Sequence, residues 1–260
     1  MSGQPLIQLR NISRTFASVK GDKIHSLDDV SLDIYPNEFV SIVGPSGCGK
    51  STLLKIIGGL LKPTSGSLSV DGAEVNGPVD DVGFVFQNAT LFPWRTVEGN
   101  IMLPIDVKHL ARGQYAQRGR DLLQLTGMLG FENKYPFELS GGMQQRVSIV
   151  RALIHNPKII LMDEPFGALD AMTREQMGLE LLRIWQSQRI TTVFVTHDIA
   201  EAIFLADRVV VMSPRPGKIV KIVDVQLTRP RDLSVMSEKR FLDLQLEIRS
   251  DLHLIKKKAA

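Results

Sequence analysis

Residues 44–52 read Gly44-Pro45-Ser46-Gly47-Cys48-Gly49-Lys50-Ser51-Thr52. An apolar run, Phe39-Val40-Ser41-Ile42-Val43, leads in, and Thr52-Leu53-Leu54-Lys55-Ile56-Ile57 leads out as a helix candidate. Strand, glycine loop, Lys-Ser, helix is the context in which G-x-x-x-x-G-K-[ST] means phosphate binding. Glycines permit backbone conformations that aim successive N–H groups inward, as a concave nest for an anion. The first helical turn adds unpaired N–H groups and the positive end of the helix dipole. Lys50 is suited to reach the terminal phosphates, and the Ser51 hydroxyl to ligate Mg²⁺. A glycine-rich turn that binds nothing is the competing reading, and the flanking strand and helix weigh against it. The loop points to a nucleotide without saying which chemistry follows.

Composition sets the outer bounds. With 260 residues the chain can bury a full core, enough for one large α/β domain with or without a small appendage. At 43% hydrophobic and 23% charged residues it is neither disordered nor fibrous. No apolar run approaches the roughly 18–20 residues of a membrane span, and Met1-Ser2-Gly3-Gln4-Pro5 lacks the features of a secretory signal. A single cysteine, Cys48, excludes an internal disulfide framework, and no Cys/His grouping has zinc spacing. Residues 214–260 hold 11 Lys and Arg against 6 Asp and Glu. This basic tail, ending Lys256-Lys257-Lys258, is either a surface for anionic lipid or an acidic partner, or a solvated terminus. No basic stripe interleaved with aromatics marks a nucleic-acid surface.

In chain order, residues 6–12 alternate like a half-buried strand, with Phe16 in an irregular stretch beyond. An aromatic there either stacks on a base or belongs to the core. Gly66 to Gly72 predicts a strand closing in an Asp-Gly turn. Asp81 to Phe86 predicts another strand, delivering Gln87 at its end, where an amide can touch Mg²⁺ or an attacking water. Leu91-Phe92-Pro93-Trp94-Arg95-Thr96 is a loop of large aromatics, either a partner surface or a cover for the core.

Ser140-Gly141-Gly142 opens a strong helix. Ser140 is an N-cap, and the two glycines leave the helix start open to close approach. With no lysine and no metal carboxylate, this second anion site holds only one face of a nucleotide. It is half a site. Lys158-Ile159-Ile160-Leu161-Met162 suits a buried parallel strand and delivers Asp163-Glu164-Pro165 at its carboxyl end, where ligands gather in open α/β sheets. Mg²⁺ on Asp163 and a water proton for Glu164 would account for two adjacent acids there. Asp170 is placed to cap a helix running to Gln188. Thr191 to Val195 predicts a further buried strand, delivering His197 to the same edge, where it is a candidate for the γ-phosphate. Residues 209–212 and 218–223 predict two closing strands around Pro214-Arg215-Pro216-Gly217, and 234–254 favours helix.

These motifs together make residues 6–225 resemble the ATPase subunit of an ATP-binding cassette (ABC) transporter. Residues 44–52 resemble its Walker A motif, Leu139 to Gln145 its signature, and Ile159 to Pro165 its Walker B motif with the catalytic glutamate. Gln87 matches the Q-loop, Ala168-Leu169-Asp170 the D-loop, His197 the switch histidine, and Phe16 the aromatic that stacks on adenine. Leu91 to Val97 and Met212 to Ile219 are similar to the importer group for nitrate, sulfonates and taurine.

The resemblance implies an α/β P-loop NTPase with a RecA-like core, an ABC β-subdomain and a helical signature subdomain inserted at about 88–155. Residues 1–225 would form this ATPase domain and 226–260 a short, helical, basic tail. It further implies ATP and Mg²⁺ as ligands, the nucleotide lying on Phe16, residues 44–52, Asp170 and the signature residues Ser140, Gly141 and Gly142. Lys50 would neutralise the β/γ-phosphates, while Ser51, Gln87 and Asp163 would hold the metal. Glu164 would deprotonate the water and His197 would contact the γ-phosphate. Two copies would close head to tail, each Ser140 completing the other copy's loop. The implied partners are integral membrane permease subunits, contacted through residues 91–96 at the cytoplasmic face of the inner membrane, and an extracytoplasmic solute-binding protein. A soluble ABC ATPase working on DNA or ribosomes is the rival, but such proteins carry two cassettes or a long coiled coil, and this chain has one cassette without heptads. Cys48, near a helix start and Lys50, is a candidate for a lowered thiol pKa that would make ATP binding sensitive to alkylation.

Overall fold

The computed structural model describes residues 3–17 and 22–259, and for 253–259 only the backbone helix. Met1 and Ser2, and the side chains of Lys256, Lys257 and Lys258, lie outside the described residues. In chain order the elements are β1 (Ile7–Ala17), β2 (Lys23–Ile34), β3 (Phe39–Val43), α1 (Lys50–Ile57), β4 (Ser65–Val70) and β5 (Ala73–Glu74). Then come β6 (Val82–Val85), α2 (Val97–Ile101), α3 (Leu103–Val107), α4 (Arg112–Leu125), α5 (Gly141–Leu153), β7 (Ile159–Asp163) and α6 (Ala171–Gln188). The remainder are β8 (Thr191–Thr196), α7 (Ile199–Leu205), β9 (Arg208–Met212), β10 (Ile219–Asp224) and α8 (Lys239–Ala259). They form two compact units, one of residues 1–80 with 191–260, the other of residues 81–190.

The first unit holds an antiparallel sheet in the order β2-β1-β4-β5, and strands in the order β10-β9-β3-β8. Every residue of β3 and β8 is buried, as continuous apolar runs in parallel sheets require. Their parallel register pairs Val43 with Thr196, so the loop after Val43 and the residues after Thr196 leave at the same edge. Helix α1 packs on β8, while α7 packs on β3 and α8. Phe16 does not lie in an irregular stretch: β1 continues to Ala17, pairing Phe16 with Ile24. The strand extends because β2 is twelve residues long and offers partners that far.

Near the C-terminus, α8 buries Phe241, Leu244 and Ile248, the helical spacing. Arg231, 6% exposed, donates from Nη1 to the carbonyls of Ile203, Phe204 and Ala206 at 3.1, 2.8 and 2.9 Å. These carbonyls end α7 and would otherwise be unmatched. Burial pushes the Arg231 guanidinium down to about 10.

In the second unit β6 and β7 run parallel, with Val85 opposite Met162. Helix α5 packs on β6, and α2 and α4 pack on α5. Close approach of α5 depends on Gly83, where a Cβ would come within 2.3 Å of the Ala152 carbonyl oxygen. Val147, Ile149, Val150 and Leu153 of α5 are essentially buried, each contributing about 2 kcal/mol.

Candidate functional site

In the first unit the phosphate loop is a wrapped turn. Gly47 has φ +75° and Gly49 φ +107°, conformations that L-residues rarely adopt. A Cβ at Gly44 would fall 2.9 Å from Cys48 Sγ and 3.1 Å from Met212, so that position has no space either. Lys50, 5% exposed, curls back over the loop and donates to the carbonyls of Gly44 at 2.9 Å and Pro45 at 3.2 Å. Helix α1 starts at Lys50 with no acidic residue in its first turn, so nothing in that turn offsets its positive end. Ser46 is exposed and Ser51 half-buried, while the Thr52 hydroxyl accepts from Ser26 Oγ at 3.2 Å. Cys48 is 1% exposed, so the expected sensitivity to alkylating reagents has no open thiol to act on in the folded chain.

His197 follows β8 and is exposed at the edge shared with Gly44. Asp198 behind it caps α7, accepting from the N–H groups of Ala200 at 2.8 Å and Glu201 at 3.1 Å. Phe16 is half-buried, and the Arg14 guanidinium lies over its ring at 4.7 Å.

The second unit brings Gln87, Asp163 and Glu164 to one edge, because β6 and β7 are parallel and in register. Asp163 is 8% exposed at the end of β7. Glu164 has φ +44°, a left-handed conformation that costs about 1–2 kcal/mol for a residue with a Cβ. A Cβ added at Gly167 would lie 3.7 Å from Glu164 Oε2 and 3.8 Å from Gln87 Nε2, so the carboxylate and the amide both border the space beside that glycine.

Ser140 caps α5, its hydroxyl accepting from the Met143 N–H at 3.3 Å. Gly141 is exposed, and a Cβ there would meet nothing within 4 Å. Gly142 would carry a Cβ 3.2 Å from Thr173. Asp170 caps α6: Oδ1 accepts from the Thr173 N–H at 3.0 Å and Oδ2 from the Thr173 hydroxyl at 2.7 Å. The hydroxyl first, then the backbone N–H groups, hold this carboxyl below its ordinary range.

Sequence reasoning missed Asn100, which is fully buried. Its Oδ1 accepts from Phe92 N–H at 2.7 Å, and its Nδ2 donates to the carbonyls of Phe92, Arg95 and Thr96 at 3.1, 3.0 and 3.0 Å. That amide fastens the 91–96 loop and presents Trp94, 70% exposed and stacked on Phe92 at 5.0 Å. In the same unit lies a groove of about 380 Å³ with Phe84, Phe86 and Val107 among its apolar walls. Lys108, Arg151 and His155 add its basic groups. Burial, then Lys108, keeps His155 below the ordinary histidine range.

A glycine-lined anion loop with an invading lysine, and acids delivered at the carboxyl end of a buried parallel strand, define a P-loop nucleotide hydrolase. The chain belongs to the ABC transporter family, which it matches over residues 27–167. It is similar to the taurine import ATP-binding protein TauB of Rhizobium johnstonii, 44% identical over 95% of this chain and 97% of that one. The aliphatic sulfonates import ATP-binding protein SsuB of Bacillus cereus is 43% identical over 86% of this chain and 88% of its own. Among solved structures, a dimeric bacterial ABC transporter cassette superposes with a TM-score of 0.75 at 38% identity, covering 85% of this chain and all of that one. A post-hydrolysis cassette bound to ADP and Pi gives 0.75 at 37%. The fold is therefore the α/β P-loop NTPase fold of ABC cassettes, and the chain is an ATPase of that class.

Proposed function

We propose that the chain is the ATP-hydrolysing subunit of an importer for a small solute of the sulfonate, taurine or nitrate kind. The observation that carries this reading is the similarity to TauB over 95% of the chain. In this reading Lys50 neutralises the β- and γ-phosphates while the loop N–H groups of 44–52 wrap them. Ser51, Gln87 and Asp163 offer only oxygen ligands, a hard donor set that fits Mg²⁺ completed by phosphate and water. Mg²⁺ held there would neutralise charge developing on the phosphates. Glu164 takes the proton of the attacking water, with the Gln87 amide beside it to orient that water, and His197 contacts the γ-phosphate. Phe16 stacks on the base. Asp170 acts through the helix it caps.

Gly141 and Ser140 open a helix start with space in front of it, so they serve the phosphates of a second copy of the chain. ATP then closes a head-to-tail homodimer and hydrolysis reopens it. Trp94 and the groove beneath Phe84 and Phe86 receive a cytoplasmic helix of an integral membrane subunit, which places the chain at the inner face of that membrane. A solute-binding protein outside would supply the cargo. Among the described residues no helix is long and apolar enough to cross a membrane.

The test is purification of the tagged chain from detergent-solubilised membranes. Retention of an integral subunit, with ATP-dependent uptake of a sulfonate after reconstitution, is the expected result. Recovery without any membrane partner, together with ATPase activity stimulated by nucleic acid, would transfer the chain to the class of soluble mechanical ATPases.

A further inference from the structure

The turn between β9 and β10, residues 213–218, lies along the outer side of the phosphate loop, and the roles assigned above leave it without one. It is sewn to β2. Gly217 N–H donates to the Ser26 carbonyl at 2.9 Å, Asp28 N–H donates to the Gly217 carbonyl at 3.0 Å, and Lys218 pairs with Asp28 at 2.7 Å. Ser26 also meets the loop directly, since a Cβ at Gly49 would fall 2.9 Å from its carbonyl oxygen. Strand β2 and the turn thus press on the loop together.

Two contacts join the turn to the loop. Arg215 Nε donates to the Gly47 carbonyl at 3.2 Å. A Cβ at Gly217 would come to 2.1 Å from the Cys48 carbonyl oxygen, so only a glycine lets the backbone of the turn rest there. In a planar trans peptide, the carbonyl and the next N–H point in opposite directions. With the Gly47 carbonyl bonded to Arg215 and the Cys48 carbonyl packed against Gly217, the N–H groups of Cys48 and Gly49 face the other way, into the loop. The Cys48 N–H accordingly points across the loop to the Pro45 carbonyl, at 3.3 Å. Inward N–H groups of successive residues are what makes such a loop an anion nest.

We propose that Arg215 and Gly217 are positioning residues for the nucleotide phosphates, holding two loop peptides by their carbonyls so that the following N–H groups face the anion. The proposal rests on the ATP reading of residues 44–52. Arg215 is exposed, so its loss does not open the core. Losing one orienting hydrogen bond corresponds to a loss in ATP affinity of about fivefold.

The experiment measures trinitrophenyl-ATP binding, and KM and kcat for MgATP, on the full chain and on Arg215→Ala, Arg215→Lys, Gly217→Ala and Lys50→Ala. The expected result is Kd and KM raised about fivefold in Arg215→Ala, with kcat at saturating ATP moving much less. Arg215→Lys recovers part of the affinity, and Gly217→Ala loses more than Arg215→Ala. Should Gly217→Ala fail to fold, Arg215→Ala and Arg215→Lys decide alone. An unchanged Kd and KM in Arg215→Ala, or a fall in kcat without a rise in KM, overturns the proposal. If the unsubstituted chain binds no ATP, or Lys50→Ala binds it equally well, the reading of the loop itself has failed instead.

Discussion

Gln145 donates from Nε2 to the carbonyl of Phe86 at 3.3 Å, so the helix that Ser140 opens is tied to the residue before Gln87. Gln145 is 4% exposed, and its amide has little water to turn to. Replacing it with Leu keeps the bulk and leaves the Phe86 carbonyl unmatched, at a cost of about 1–3 kcal/mol. Thermal unfolding of Gln145→Leu should therefore begin several degrees lower. A melting curve that overlays the parent would show that this bond does not hold α5 to β6.

Glu164→Gln keeps the shape of the strand end and removes the base. The expected outcome is nucleotide binding retained and turnover reduced about 10²–10⁴-fold. With MgATP the same variant should run as a dimer in light scattering, because the closed state is no longer consumed. Parent-like hydrolysis would remove Glu164 from the proton transfer.

Two defective variants should repair each other. Lys50→Ala lacks a working loop, and Ser140→Arg lacks a working helix start. Each is expected to be inactive alone. Mixed, they form dimers in which the good loop of one faces the good helix of the other, and part of the ATPase activity returns. A mixture as inactive as its components would mean that loop and helix start do not complement each other across two chains.

Trp94→Ala removes the exposed ring from the 91–96 loop while Asn100 still fastens the backbone. Exposed aromatics at an interface are typically worth about 2 kcal/mol or more. Retention of the membrane subunit through detergent washes should drop accordingly, in a chain whose circular dichroism is unaltered. Equal retention would take Trp94 out of the interface.

Asp106 accepts from Arg112 Nε and Nη2, both at 2.6 Å, and from Arg95 at 2.9 Å. Arg112 first, then Arg95, bring its carboxyl down to about 2 from an ordinary 3.8. A depressed carboxyl stabilises the fold above its unfolded pKa, and that contribution drains away as pH falls from about 4 toward about 2. Asp106 is half-buried but its partner Arg112 is mostly exposed, and screening of that partner by water limits the gain to about 1 kcal/mol. Asp106→Asn should flatten the acid limb of the stability curve in that window, as followed by urea unfolding.

The legible parts of the fold were those written in neighbouring residues. The apolar runs of β3, β7 and β8 announce buried parallel strands, and the glycine spacing of 44–52 announces the loop. Ser140 and Asp170 are caps because their oxygens bond N–H groups three residues on. The illegible parts depend on residues far apart in the chain. Nothing local to Arg215 mentions Gly47, 168 positions away. Asn100 looks like a surface amide until its four bonds to the 91–96 loop are seen. Phe16 lies in β1 because a pairing partner extends that strand, not because of its own alternation.

Helix α7 is seven residues long, too short to persist alone, and it is fastened at both ends. Asp198 closes its start, while Arg231 takes up the carbonyls at its end. During synthesis the loop at 44–52 emerges early, and His197 and α7 much later. Even then the carbonyls at the end of α7 have no guanidinium to take them up until Arg229 and Arg231 have followed it out. The mount for the histidine is thus among the last parts of the enzyme to be set, long after the phosphate loop has left the ribosome.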